Sequence, residues 1–219
     1  MTKKSKLKKI VLIGAGGFGK EVLQTILDCE NESKMFDIVG FIDENKKLWG
    51  KTICDLKVLG GLEWLENNSN VGCVMCVSDG NIRKTLVKKI SELNLSFPSI
   101  VHPSALISKF SKIGDGVIIQ GFSYVMPHVE IGNHVHVNMS CIIAHDSKIE
   151  DFATISTGVH VNGTCVIGEG SFLGSGSVIL EEIKIGKWSK IGAGAVMIDD
   201  AISKQTYVGV PGRSKDSKN

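Results

Sequence analysis

Residues 141–151 read CIIAHDSKIED and set His145 directly before Asp146. An imidazole beside a carboxylate is the smallest arrangement that can do general-base chemistry. The ring takes a proton from an attacking group, and the carboxylate holds the tautomer or favours the charged form. The same two residues also fit a solvated corner of a repeating structure. Four other histidines stand in register with one another: His128 and His134 share one position of a six-residue period, His136 and His160 another. All four can therefore be surface residues, and His136 and His160 are the next candidates for a base. What decides among these readings is the element that carries them.

That element keeps a strict six-residue period. From Ile107 through Ile113, Ile119 and Val125 to Ile191 and Met197, every sixth residue is apolar. Two residues before these positions the side chain is mostly small, as at Ala105, Ser111, Ser123, Cys141 and Ala153. This is the hexapeptide repeat of a parallel β-helix. Each hexad makes one short flat side, its branched residue points inward, and three hexads close a triangular coil of eighteen residues. Glycine follows the inward residue at 114, 132, 168 and 186, with Glu150 in the one missing slot, which supports the eighteen-residue coil independently. About five coils are expected from this count, with three flat sides carrying apolar and small residues. His145 comes two residues after inward Ile143, so it projects from the coil surface.

The first half reads differently. KKIVLIGAGGFGKEVLQTILD has a strand at Ile10 to Ile13, a glycine turn, and a helix with Val22, Leu23, Ile26 and Leu27 at helical spacing. Gly14, Gly16 and Gly19 fit G-x-G-x-x-G, a turn that brings backbone amides at a helix start close to a phosphate. A second strand, FDIVGFID, ends on Asp43, placed to reach a ribose hydroxyl, and VGCVMCV is a third. The pattern runs out near residue 98, after half of a dinucleotide fold. A nucleotide-sugar pocket fits that size better than an NAD site, although an NAD-dependent oxidoreductase stays open on these residues alone.

Composition narrows the classes further. The chain has 219 residues, a formal net charge of +2, 25 glycines and four prolines. Balanced charge argues against a nucleic-acid partner, and no apolar run reaches the length of a membrane span. The basic opening followed by a short apolar run lacks the cleavage site of a signal peptide, so a cytoplasmic protein is expected. Cys73 and Cys76, in CVMC, sit within an apolar strand and read as core residues ahead of a redox pair.

Taken together, VLIGAGGFGKEV, FIDE, GNIRK, VHPSALIS, NMSCIIAHDSKI and VGVPGR resemble the sugar O- and N-acyltransferase family, over residues 9–213. The resemblance implies an α/β Rossmann-like half-domain over residues 1–100, a left-handed parallel β-helix over 101–213 and a tail at 214–219. It implies an acetyl-CoA-dependent acetyltransferase acting on a nucleotide-activated amino sugar, with a sugar O-acetyltransferase as the close alternative. It also implies a homotrimer with active sites between subunits. By the same resemblance, His145 is the catalytic base and Asp146 the residue that raises its basicity. The sugar nucleotide falls to Gly16, Gly17, Phe18, Asp43, Glu44 and Ser78. Acetyl-CoA falls near Thr154, Ser175 and Ala193, with Gly163 a candidate for stabilising the oxyanion. Phe18 and Thr154 stand where relatives carry histidine. No metal is expected: β-helical zinc enzymes include a histidine pair spaced five apart, and no two histidines here have that spacing.

Overall fold

A computed structural model describes residues 7–32 and 35–215 of the chain. It divides into two compact units. One runs to Val77 and resumes over Lys84–Pro98; the other holds Ser78–Arg83 and the chain from Ser99 onward. The first unit thus ends at Pro98, where the sequence suggested a boundary near residue 100, and six residues of the first half, Ser78–Arg83, group with the second unit. Residues 216–219 of the expected tail lie outside the described residues, and Ser214 belongs to a strand.

The first unit is a three-stranded parallel sheet in the order β2-β1-β5, with β1 Lys8–Ile13, β2 Phe36–Ile42 and β5 Gly72–Met75. The central strand buries Ile10, Val11, Leu12 and Ile13 in succession, as a strand covered on both faces must. Helix α1, Gly17–Glu32, buries Val22, Leu23 and Ile26. Leu27, expected in the same stripe, lies at its margin and is 41% exposed. Between β2 and β5 the chain makes a two-stranded hairpin, β3 Thr52–Ile53 and β4 Leu56–Lys57, and a one-turn helix, α2 Glu63–Glu66. Cys73 and Cys76 are buried free thiols. Burial pushes the Cys73 thiol up to about 12 and that of Cys76 up as well, so neither supplies a thiolate.

The second unit is the β-helix. Two-residue strands stack into three parallel faces, and each strand pairs with the one eighteen residues on, as Tyr124–Val125 does with Ile142–Ile143. Face one begins at Ile100–Val101, face two at Leu106–Ile107 and face three at Lys112–Ile113. Face two holds six strands, one coil more than the sequence period suggested. All six lie within the clean repeat from Ile107 to Met197, and the ends lengthen face one instead. Ile100–Val101 starts a coil ahead of the clean repeat, and Thr206–Val208 closes one whose step has shortened to sixteen residues, Lys190 pairing with Thr206. The inward residues from Ile119 through Val161 to Met197 form one continuous core.

Small residues before the inward positions tie neighbouring coils together. Ser123 Oγ donates to the Asn138 carbonyl at 2.8 Å and accepts from the Cys141 amide at 3.2 Å; Ser147 repeats both bonds four hexads later. Corners turn through a residue with positive φ at every sixth position from 116 to 194. Only Gly116, Gly158, Gly170, Gly176 and Gly194 are glycine there; Phe122, His128, Asp146, Thr164 and Trp188 are among those that are not. A left-handed non-glycine residue costs roughly 1–2 kcal/mol. Each hexad also buries a branched side chain worth about 1.5–3 kcal/mol. Burial therefore carries the corners.

The three faces differ, contrary to the expectation of three apolar sides. Face three presents Lys112, Glu130, Lys148, Val166 and Lys184, with Lys112 Nζ 2.7 Å from Glu130 Oε1. Face two presents Leu106, Tyr124, Ile142, His160, Val178 and Val196, of which the first four are exposed.

Candidate active site

His145 and Asp146 form the corner between faces two and three. Asp146 takes the left-handed position, φ 59°, which aspartate tolerates better than most residues. Its Oδ2 lies 2.8 Å from His145 Nδ1, and the two side chains are 61% and 55% exposed for the imidazole and carboxylate respectively. The carboxylate fixes Nδ1 as the protonated nitrogen of the neutral ring and leaves Nε2 as the acceptor. The corner itself is held from both sides. Asp146 donates its amide to the Pro127 carbonyl at 3.2 Å, and Thr164 donates to the His145 carbonyl at 2.9 Å.

Gly163 lies one coil beyond His145. A Cβ there would stand 2.7 Å from His145 Cε1 and 2.9 Å from Nε2, so the ring rests against the bare glycine. Ser175 and Ala193 occupy the other edge of face two. They are exposed, one coil apart, on the corner where the Gly194 amide donates to the Ser175 carbonyl at 2.9 Å. Gly176 and Gly194 beside them have open space over their α-carbons. His145, Ser175 and Ala193 thus flank the apolar face from opposite edges.

Thr154 does not join them. It points out from face one and is buried, its hydroxyl donating to the Ser78 carbonyl at 3.1 Å and accepting from Arg83 Nη2 at 3.1 Å. Expected near acetyl-CoA, it is instead part of a buried cluster around Arg83, a residue to which the sequence assigned no role beyond its place in GNIRK. The Arg83 guanidinium is fully buried. It donates Nε to the His134 carbonyl at 2.9 Å and Nη2 to the Phe152 carbonyl at 2.6 Å, while Nη1 reaches the Ser78 carbonyl and His136 Nδ1, each at 3.1 Å. Burial lowers its pKa to about 9, against the pull of Asp79, and at neutral pH it keeps its charge.

His134 and His136, expected at the surface, are buried beside this guanidinium. His134 stacks on Phe152 with ring centroids 5.3 Å apart. Burial first, and then the Arg83 charge, hold its imidazole down at about 4. Neither ring is placed to act as a base at the surface. His160 is exposed on face two. Among the described residues, no group of three or more histidine, cysteine, aspartate or glutamate side chains could hold a metal ion.

In the first unit the glycine turn joins β1 to α1. Gly14, φ 111°, passes so close to the Cys76 carbonyl that a Cβ would meet it at 2.8 Å. Gly19 packs against the Gly14 carbonyl. Gly16 and Gly17 are exposed, and a Cβ on either would meet nothing within 4 Å. Phe18 is half-buried. Asp43 braces the turn: Oδ2 accepts from the Ala15 amide at 2.9 Å and Oδ1 from the Asn45 amide at 2.8 Å. Glu44 accepts from the Leu62 amide at 2.9 Å. Both carboxylates keep lone pairs for a further donor. Ser78 belongs to the other unit, so the six residues assigned to the sugar nucleotide do not form one cluster within a single unit.

Comparison with known proteins matches both units. Residues 9–90 match the PglD N-terminal domain, and residues 110–145 and 164–199 match the bacterial transferase hexapeptide (six repeats). The GDP-perosamine N-acetyltransferase of Escherichia coli O157:H7 is 27% identical over 180 residues, 78% of each chain. The acetyltransferase domain of PglB from Neisseria gonorrhoeae FA1090, solved in complex with acetyl coenzyme A, superposes with a TM-score of 0.87 at 25% identity, covering 95% of this chain and 100% of that one. A histidine-to-asparagine mutant of perosamine N-acetyltransferase from Caulobacter crescentus, in complex with CoA and GDP-perosamine, has the same fold, with a TM-score of 0.89 at 22% identity over 97% and 99% of the two chains.

A β-helix of hexapeptide repeats behind a PglD-type α/β domain defines a hexapeptide-repeat transferase. Within that class the chain is similar to the sugar acyltransferases.

Proposed function

We propose that the protein transfers the acetyl group of acetyl-CoA to the amine of a nucleotide-linked amino sugar, a 4-amino-4,6-dideoxyhexose, for surface glycan synthesis. The observation that carries this reading is the exposed imidazole whose Nδ1 is held by Asp146 at 2.8 Å. The neutral amine attacks the thioester carbonyl within a ternary complex, so no acyl-enzyme forms. His145 Nε2 accepts the proton from the amine nitrogen and returns it to sulfur as the C–S bond breaks, releasing the thiol. The Gly163 amide, beside the imidazole, is the proposed donor to the oxyanion.

Ser175 and Ala193 line the proposed path of the coenzyme, where the neighbouring glycines leave room for it. The turn at Gly16, Gly17 and Phe18 takes the nucleotide phosphates at the start of α1, with Asp43 and Glu44 completing the sugar-nucleotide contacts of that unit. The relatives support the two substrates: one is named for GDP-perosamine, and another is solved with acetyl coenzyme A. We place the reaction in the cytoplasm and the active enzyme in a homotrimer joined through face two.

The test is thiol release from acetyl-CoA with UDP-, dTDP- and GDP-linked amino sugars, beside sugars carrying hydroxyl in place of the amine. Turnover with an amino sugar is expected. Turnover with hydroxyl sugars alone, or tight NADH binding with no nucleotide-sugar binding, overturns the reading.

A further inference from the structure

Gly163 has a property that its backbone does not require. Its φ is not in the left-handed region, so any residue could adopt its conformation. The three nearest atoms that a Cβ would meet all belong to the His145 ring, at 2.7, 2.9 and 3.4 Å. In register with His145 along the same corner stand Lys109, Pro127, Gly163, Glu181 and Asp199, each eighteen residues from the next through His145 itself. The one position without a side chain is the one directly under the imidazole.

One hydrogen bond from Asp146 does not fix an exposed ring that turns about two χ angles. A second contact does. We propose that Gly163 is a positioning residue, a bare seat that fixes the plane of the His145 imidazole while Asp146 fixes its tautomer. Nδ1 is held at one edge, and Cε1 and Nε2 rest on the glycine, so Nε2 is oriented before substrate arrives. Preorganisation of this kind matters because small misplacements of a reacting group cost rate steeply. The role is distinct from an oxyanion contact, which uses the amide and survives any side chain that leaves the backbone in place. It rests on His145 being the base.

Gly163→Ala separates these roles. The backbone accepts alanine, so the melting temperature and both KM values should stay near those of the parent. The kcat should fall roughly 10- to 100-fold. In a His145→Ala background the same substitution should have no further effect, because the ring it displaces is gone. Carbethoxylation of His145, followed residue by residue by mass spectrometry, should change rate in Gly163→Ala even without substrates. An unchanged modification rate overturns the seat itself. A changed rate with unchanged kcat overturns its role in turnover, and an equal loss of kcat in both backgrounds shows that the added methyl acts without the ring and overturns positioning. If His145→Ala alone retains turnover while the modification rate still responds to Gly163→Ala, the seat stands as geometry and it is the base assignment that fails, taking the positioning role with it.

Discussion

At the scale of single residues, the His145–Asp146 pair gains its chemistry from where the corner puts it. The imidazole fills no core space, since inward Ile143 does that, and its ring is mostly exposed. His145→Ala should therefore leave folding and substrate binding intact while kcat falls roughly 10²- to 10⁴-fold, the usual contribution of a positioned general base. Asp146→Asn should cost less, because asparagine can still hold the ring while losing the charge. Steady-state kinetics with both substrates saturating decides between them, and near-normal turnover in His145→Ala would leave the pair a solvated corner. The pair was legible in the sequence because adjacency is a one-dimensional property. Gly163 was read only as a possible amide donor. Its contact with the ring depends on which residues stack one coil apart and on ring orientation, which no local pattern contains. The buried histidines were misread for a related reason. His134 and His136 occupy outward positions of the repeat, as their register says, but Arg83, some fifty residues earlier, covers them.

Among elements, period separates what the sequence discloses from what it hides. Inward residues repeat every six and are chemically alike, so the β-helix was readable from Ile107 onward. Its ends were not, because the first coil precedes the clean repeat and the last is two residues short. The left-handed corners also escape a sequence reading, since burial of the branched residues lets Phe122, Thr164 and Trp188 occupy a conformation that glycine would advertise. The glycine turn of the first unit is the opposite case: Gly14 and Gly19 are required by close packing, whereas Gly16 and Gly17 face open space. That contrast makes Gly17→Val informative. Valine there meets nothing in the free protein, so the fold should survive, at most with a small loss from a β-branched residue at the start of α1. Nucleotide-sugar affinity should fall at least 10-fold because the backbone can no longer approach a phosphate, and acetyl-CoA affinity should not move. Calorimetry with each ligand measures both, and unchanged nucleotide-sugar binding would remove the turn from the site.

For the molecule as a whole, the inequality of the three β-helix faces points to how copies meet. Face three presents mostly lysine and glutamate, broken by Val166, while face two leaves Leu106 61%, Tyr124 41% and Ile142 38% exposed in adjacent coils. Contiguous apolar exposure of this kind marks a surface that is covered in the functional state. The edges of that face carry His145 on one side and Ser175 with Ala193 on the other, so in the proposed trimer a three-fold axis through face two would bring His145 of one copy toward Ser175 and Ala193 of another. Ile142→Asp tests this directly. The side chain points outward, so the change spares the core, yet it places a carboxylate in the centre of the face. Light scattering should show the parent as a trimer at micromolar concentration and Ile142→Asp as a monomer, with turnover lost alongside the assembly. Lys148→Ala, on the charged face one hexad further along the chain, should alter neither. A parent protein that is monomeric and fully active would separate the chemistry from assembly and confine the site to a single chain.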